Sequence, residues 1–183
     1  RETVALEKGV RFSPVVLNEV KATRTEGSSV VLCENFGKNF ASKEEKMKIL
    51  FICKYNRFRS QIAEQFFKKY NSNKNLSAKS AGLLKGRYPL DKDEVEVVRK
   101  FEIIIDKKPE TVSVDELIKT DLVIIVANDV PRKTFNYEGR YVQKVIVWKI
   151  SDEFKGDKKN IRKIVGKIKL KIKELIKELE NKK

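Results

Sequence analysis

The residues best suited to chemistry in this chain are Cys53 and Arg59, which five residues separate. An apolar run precedes Cys53, and a helical pattern starts just after Arg59. A loop of this length can turn successive backbone N–H groups inward beside a helix N-terminus, which carries partial positive charge. The guanidinium of Arg59 can clamp two oxygens of a bound phosphoryl group. The spacing therefore predicts an oxyanion-binding loop.

The same positive field stabilises a thiolate at Cys53, and a thiolate is the nucleophilic form of cysteine. We expect this sulfur to attack the phosphorus of a phosphate monoester, with a hydrogen bond from Ser60 assisting it as a leaving group. Asn56 would organise the loop through side-chain hydrogen bonds. The rest of the predicted phosphate-binding and loop-organising set is Lys54, Tyr55, Arg57 and Phe58. Such a site uses no metal ion and no cofactor.

Four apolar runs predict buried strands that would position this loop. They are Lys48–Cys53, Leu76–Ala81, Asp121–Ala127 and Lys144–Lys149. Helical patterns alternate with them, at Ser60–Tyr70, from Asp91 to about Phe101, Val114–Lys119, Val130–Phe135 and Lys158–Asn181. The alternation predicts an α/β fold with a four-stranded parallel sheet and helices on both faces. Ligands bind at the carboxyl ends of such strands, where Cys53 lies.

The first 46 residues differ in composition from the rest, and every predicted site element lies beyond them. We therefore expect an N-terminal extension of unknown role over residues 1–46 and an α/β domain over 47–183, starting at Met47. No apolar run approaches the roughly 20 residues that span a bilayer, so we expect a cytoplasmic protein without a membrane association. The abundance of Lys, Glu and Ile is often seen in proteins from hot environments.

Composition excludes several kinds of site. The chain has no histidine, which removes Cys-His dyads, Ser-His-Asp triads and most zinc sites. Its two cysteines, Cys33 and Cys53, are too few for a disulfide framework and are expected to be free thiols. The net charge of +15 comes largely from lysines interleaved with glutamates along helices. That pattern favours a solvated helical surface over nucleic-acid binding.

The segment ILFICKYNRFRSQIAEQF resembles the signature of the low-molecular-weight protein tyrosine phosphatases and the related arsenate reductases. In that family a strand leads into Cys-x-Gly-Asn-x-x-Arg-Ser, then Pro or Gln, an apolar residue and Ala-Glu. The matching residues are Cys53, Asn56, Arg59, Ser60, Ala63 and Glu64. Ser80-Ala81-Gly82, DLVIIVANDVP and VIVWKISDEF resemble later family blocks in the same order. The resemblance covers residues from Met47 to the C-terminus.

The resemblance places a general acid in the loop after the last strand, and Asp152 is the candidate there. It would protonate the leaving oxygen and then activate water. Asp129 and Asp157 are rivals for this role. The nearby Trp148 is expected to be a core aromatic residue rather than a wall of the pocket.

The chain departs from the family pattern at three of these positions. Tyr55 stands where the family usually has Gly, Arg57 adds a second cation near the mouth of the site, and Glu153 replaces the usual Pro after the acid. Phe154 stands near the place of the usual tyrosines of that loop. These departures bear on substrate preference more than on chemistry.

The favoured function is a cysteine-dependent phosphatase acting on phosphotyrosine proteins or small aryl phosphates through a phosphocysteine intermediate. A single-cysteine arsenate reductase using a small thiol is the alternative, and Gln61 is common in that group. The thioredoxin-coupled kind needs further cysteines after the nucleophile, and this chain has none. A non-catalytic module that binds phosphate or nucleic acid is the third hypothesis.

Overall fold

The computed structural model describes residues 46–86, 89–135, 144–152 and 156–181. Four strands form one parallel sheet: β1 (Met47–Cys53), β2 (Leu76–Gly82), β3 (Leu122–Val126) and β4 (Lys144–Trp148). Their spatial order is β2-β1-β3-β4, so β1 lies inside the sheet with a neighbour on each side. The predicted four-stranded parallel sheet is confirmed. The predicted extension lies almost wholly outside the described residues, as do Cys33, Glu153 and Phe154.

Helices cover both faces of the sheet because its strands carry apolar side chains on both sides. The helices are α1 (Arg59–Tyr70), α2 (Lys92–Arg99), α3 (Val114–Ile118) and α4 (Lys158–Glu180), with a 3-10 turn at Arg132–Thr134. One core forms between the sheet and α1, α2 and α4. A smaller core lies on the other face, under α3 and Phe135. Trp148 belongs to the larger core, with its ring centroid 6.0 Å from that of Phe51.

Helix α2 ends at Arg99, two residues before the predicted end at Phe101. The N–H groups of Lys100, Phe101 and Glu102 bond to carbonyls three residues back, which tightens the chain into a turn. Glu102 then adopts a left-handed conformation with φ of +56°. A helix cannot continue through that conformation, and apolar periodicity does not report it. None of the helices in the described part of the chain is long and apolar enough to cross a membrane.

The register of the sheet places Gly82, the last residue of β2, beside Cys53, the last residue of β1. A Cβ atom at Gly82 would lie 2.7 Å from the backbone nitrogen of Asn56 and 2.7 Å from the carbonyl carbon of Tyr55. The loop after β1 therefore runs directly against the backbone of Gly82. Only glycine allows that approach.

Replacing Gly82 by Ala should lower the free energy of unfolding by about 1–3 kcal/mol, since a backbone segment must move to admit the methyl group. Gly166 is a matched control in the interior of α4, where a Cβ would meet nothing within 4 Å. Gly166→Ala should raise the free energy of unfolding by up to about 1 kcal/mol through helix propensity. Urea unfolding curves of both variants measure this. Equal effects of the two substitutions would contradict the tight approach at Gly82.

Helices α2 and α4 are joined at the surface by a cluster of charges. Glu96 accepts hydrogen bonds from Lys100 at 2.9 Å and from Lys158 at 2.6 Å. Lys100 first, and Lys158 second, lower the pKa of Glu96 from 4.5 to about 2. The carboxylates of Glu96 and Asp93 in turn raise the pKa of Lys158. Because the folded pKa of Glu96 is depressed, its stabilising effect is complete above pH 4.5 and is lost as the pH falls towards about 2.

Glu96→Gln should therefore reduce the loss of stability that the wild type shows between pH 4.5 and about 2. The effect should be small and should shrink in high salt, because the cluster is exposed. Glu178→Gln, an exposed position on α4, is the control for the removal of one surface carboxylate. Thermal unfolding across this pH range provides the measurement. Parallel curves for wild type and Glu96→Gln would show that the cluster contributes nothing.

Candidate active site

The loop that joins β1 to α1 lies at the carboxyl edge of the sheet. Two backbone hydrogen bonds fasten it to the chain after β2, from Leu83 N–H to the Cys53 carbonyl at 3.0 Å and from Leu84 N–H to the Lys54 carbonyl at 2.7 Å. Helix α1 begins at Arg59, with Phe58 at its N-cap position. A phenylalanine side chain has no atom that can cap the first N–H groups of a helix. The first turn also holds no acidic residue, so no side chain of α1 itself compensates the positive end of the helix.

Cys53 lies at the base of this loop, and its side chain is almost fully buried. Its Sγ is 3.1 Å from Oγ of Ser60, which is in the first turn of α1. The thiol is therefore held beside a hydroxyl and near the positive end of the helix.

Asn56 fixes the middle of the loop. It is fully buried and has a positive φ of 51°, a conformation that asparagine tolerates better than most residues. Its side-chain nitrogen donates to Ser60 Oγ at 2.9 Å and to Ser80 Oγ at 3.0 Å. Its side-chain oxygen accepts from the N–H of Glu110 at 3.0 Å. Asn56 was predicted to organise the loop through side-chain hydrogen bonds, and these three contacts are of that kind.

The donors in this network set its direction. Because the Ser60 hydroxyl accepts from Asn56, its own hydrogen is available to the sulfur of Cys53. Ser80 likewise accepts from Asn56 and donates to Oε2 of the buried Glu64 at 2.6 Å. The carboxylate of Glu64 thereby orients the hydroxyl of Ser80, and Asn56 links that hydroxyl to Ser60.

Sequence reasoning did not assign a place in the site to Gln61, Glu64, Ser80 or Glu110. Gln61 donates from its side chain to the Asn56 carbonyl at 2.6 Å and to the Lys107 carbonyl at 3.0 Å. Its presence thus has a structural explanation. The sequence signal for Glu64 was its match to the family signature, whereas the polar residues of α1 are too numerous for Gln61 to stand out among them. Glu110 contributes a backbone group, which no side-chain pattern could have identified.

Arg59 is 3% exposed and reaches across to the ends of β3 and β4. One of its terminal nitrogens donates to the Ile150 carbonyl at 3.0 Å. The other lies 3.3 Å from Oδ1 of Asp129 and 3.2 Å from Oδ1 of Asp152. Lys54 adds a longer contact, 3.9 Å, to Asp129. The structure thus brings both of these aspartates to the loop.

Asp157, the third candidate for the acid, has a different position. Its side chain caps α4 by accepting from the N–H of Asn160 at 2.9 Å. A carboxylate engaged as a helix cap has a structural reason to be there. Asp129 and Asp152 therefore remain as the candidates that contact the loop.

The other loop residues divide into an inner and an outer group. Phe58 is buried in the larger core and anchors the loop there. Tyr55 is 39% exposed, and the Lys54 ammonium lies 5.3 Å from the centre of its ring. Leu84, which follows β2, is also exposed. Arg57 is not a free cation at the mouth of the site, because it forms a two-point ion pair with Glu94.

A family model described as low molecular weight phosphotyrosine protein phosphatase matches residues 48–183. No curated protein is similar enough to the chain to count as a match. Among solved structures, the low molecular weight protein tyrosine phosphatase from T. tengcongensis is 25% identical, with a TM-score of 0.63, over 73% of this chain and 99% of that one. A YwlE mutant from Bacillus subtilis is 22% identical, with a TM-score of 0.63, over 74% and 99%.

An arsenate reductase from Archaeoglobus fulgidus DSM 4304 has the same fold, with 23% identity and a TM-score of 0.53 over 70% of this chain and 98% of that one. These neighbours include a phosphatase and an arsenate reductase, so the fold alone does not select one reaction. The family model, in contrast, matches the sequence across the whole α/β domain, including the loop, the acid candidates and α4. The chain belongs to the low-molecular-weight phosphotyrosine protein phosphatase family.

Proposed function

We propose that this protein is a cysteine-dependent phosphatase that hydrolyses phosphotyrosine or small aryl phosphate monoesters. The observation that carries the proposal is the position of Cys53, whose sulfur lies 3.1 Å from the Ser60 hydroxyl at the uncapped start of α1. A nucleophile, an anion site and a nearby carboxylate are the parts that phosphoryl transfer through a covalent intermediate requires.

In the first step, the Cys53 thiolate attacks phosphorus while the bond to the leaving oxygen breaks. Asp152 donates a proton to that oxygen, so the product leaves as a neutral alcohol or phenol. In the second step, Asp152 accepts a proton from water as the water oxygen attacks phosphorus and the bond from phosphorus to sulfur breaks. The Ser60 hydroxyl stabilises the departing thiolate, and Arg59 and the loop N–H groups hold the equatorial oxygens.

Asp152 is a better candidate for the acid than Asp129 because of its exposure. The Asp152 side chain is 53% exposed and the Asp129 side chain 33% exposed, and Asp129 also contacts the Lys54 ammonium. An acid that exchanges protons with a leaving group and then with water needs access to both. Asp129 is better placed to hold the two cations.

An aryl leaving group fits the outer surface of the loop. Tyr55 and Leu84 are exposed apolar side chains. Tyr55 belongs to the loop, and the N–H of Leu84 bonds to the loop carbonyl of Lys54. An aromatic ring leaving the phosphoryl group could contact this surface and be partly desolvated there. Phosphotyrosine and small aryl phosphates both offer such a ring.

The alternative, a single-cysteine arsenate reductase, draws on the same anion site. Its main sequence argument was Gln61, which now has a structural explanation in the loop. A neighbour at 17% identity is described as a YwlE arginine phosphatase from Geobacillus stearothermophilus, with a TM-score of 0.63, over 74% of this chain and 94% of that one. Arsenate with a thiol reductant and a phosphoarginine substrate are therefore useful comparison assays.

The purified chain should hydrolyse p-nitrophenyl phosphate in the presence of a chelator, and vanadate should inhibit it. Cys53→Ser should abolish turnover while phosphate binding persists, because a hydroxyl is a far poorer nucleophile than a thiolate. Cys33→Ser, which changes the other cysteine of the chain, is the matched control and should retain full activity. Phosphatase activity in Cys53→Ser equal to that of the wild type would rule out the covalent mechanism.

Asp152→Asn should slow hydrolysis of phenyl phosphate by about 10²–10⁴-fold, the usual contribution of a positioned general acid. The loss in formation of the phosphoenzyme should be much smaller for a dinitrophenyl phosphate, whose leaving group needs little protonation. Single-turnover release of the phenol measures that step for both substrates. An equal, small loss on both would make Asp152 a surface residue, and Asp129→Asn should then show the larger effect.

A further inference from the structure

The contact between Arg57 and Glu94 joins the middle of the active-site loop to α2. The two terminal nitrogens of Arg57 donate to the two carboxylate oxygens of Glu94, at 2.5 and 2.6 Å. This is the planar, two-point geometry in which an Arg–carboxylate pair is strongest. Arg57 also donates to the carbonyl of Pro89 at 3.2 Å. One loop side chain therefore holds both α2 and the segment that leads into it.

Glu94 is buried to an unusual degree for a carboxylate. Its side chain is 2% exposed, and the Arg57 side chain is 22% exposed. The same carboxylate accepts from the N–H of Asp91 at 2.6 Å, which completes a capping box at the start of α2. A charge buried to this extent is costly unless it is paired, so the position of Glu94 depends on Arg57.

Arg57 lies between two residues that are fixed in other ways. Asn56 before it is held by hydrogen bonds to Ser60 and Ser80, and Phe58 after it is packed in the core. The pair with Glu94 fixes the residue between them. Asn56, Arg57 and Phe58 are thus attached to three different parts of the domain. These contacts restrict the directions in which the backbone N–H groups between them can point.

We propose that Arg57 and Glu94 are a pair of positioning residues that preorganise the anion-binding loop. In this role Arg57 acts on the bound anion through the loop backbone and not through its own charge. The inference rests on the proposed function for the identity of the substrate, but it predicts an effect on anion binding itself. Binding of inorganic phosphate is therefore the readout that separates it from the question of turnover.

The two possible roles of Arg57 make opposite predictions for Glu94→Gln. Glutamine at this position can still accept from the N–H of Asp91, so the start of α2 stays capped, but the negative charge is gone. If Arg57 positions the loop, Glu94→Gln should weaken phosphate binding. If Arg57 is a substrate-binding cation that Glu94 partly neutralises, Glu94→Gln should strengthen it, and this result would overturn the proposal.

Calorimetric titration with inorganic phosphate should show that Arg57→Met weakens binding by about tenfold or more, the size expected when coupled neighbours are separated. Arg57→Lys keeps the charge but not the two-point geometry, and it should also weaken binding. Lys69→Met is the matched control, because it removes the cation of an ion pair with Glu102 at the far end of α1. A loss in Arg57→Met no larger than in Lys69→Met would overturn the proposal.

The double variant Arg57→Met/Glu94→Gln tests the coupling. Since each single change leaves one partner buried without the other, the double variant should bind phosphate at least as well as Arg57→Met. If the double variant loses phosphate affinity by the product of the two single losses, the residues act independently, and the proposal that they act as a pair is wrong. If the wild type hydrolyses p-nitrophenyl phosphate, KM should rise in Arg57→Met in proportion to the loss of phosphate affinity. If it does not, the phosphate titrations still decide the question.

Discussion

The hydrogen bonds of Asn56 are the constraint on which the rest of the site depends. One buried amide holds the hydroxyls of Ser60 and Ser80 together, and its oxygen binds the backbone at Glu110. These contacts stabilise a left-handed residue in the middle of the loop and leave the Ser60 hydroxyl hydrogen available to the sulfur of Cys53. Without them, the loop would lose its curvature and Cys53 its partner. A buried network of this kind is effective only when every member is satisfied.

The charged side chains form a second layer around this network. Arg59 is nearly inaccessible to water, yet it contacts two aspartates from two different strand ends. Burial strengthens the attraction between these groups and makes their geometry matter. Position in the sheet explains how they meet, because the parallel strands β1, β3 and β4 all end at the same edge of the sheet. The fold therefore brings Arg59 close to the two aspartates, and the side chains themselves provide the charges.

Sequence reasoning was most successful where one physical pattern dominates. Continuous apolar runs such as Lys48–Cys53 predicted the parallel strands, because a strand covered on both faces must be apolar on both. It was less successful where the outcome depends on a meeting of distant residues. The pair of Arg57 with Glu94 joins positions 37 apart, and nothing local marks either residue as a partner. The left-handed residue Glu102, which follows α2 and prevents the helix from continuing, also left no periodic signal in the sequence.

Phe58 has two structural roles, since it is both a member of the loop between β1 and α1 and a buried member of the main core. Local opening of the loop would have to withdraw this ring from the core, at a free-energy cost closer to that of unfolding the domain than to that of moving a surface segment. Hydrogen exchange at the loop amides is therefore expected to require an opening of comparable cost. If the loop amides hold an anion, as proposed, its binding stabilises the whole α/β domain, and its affinity depends on the integrity of a core that it never touches.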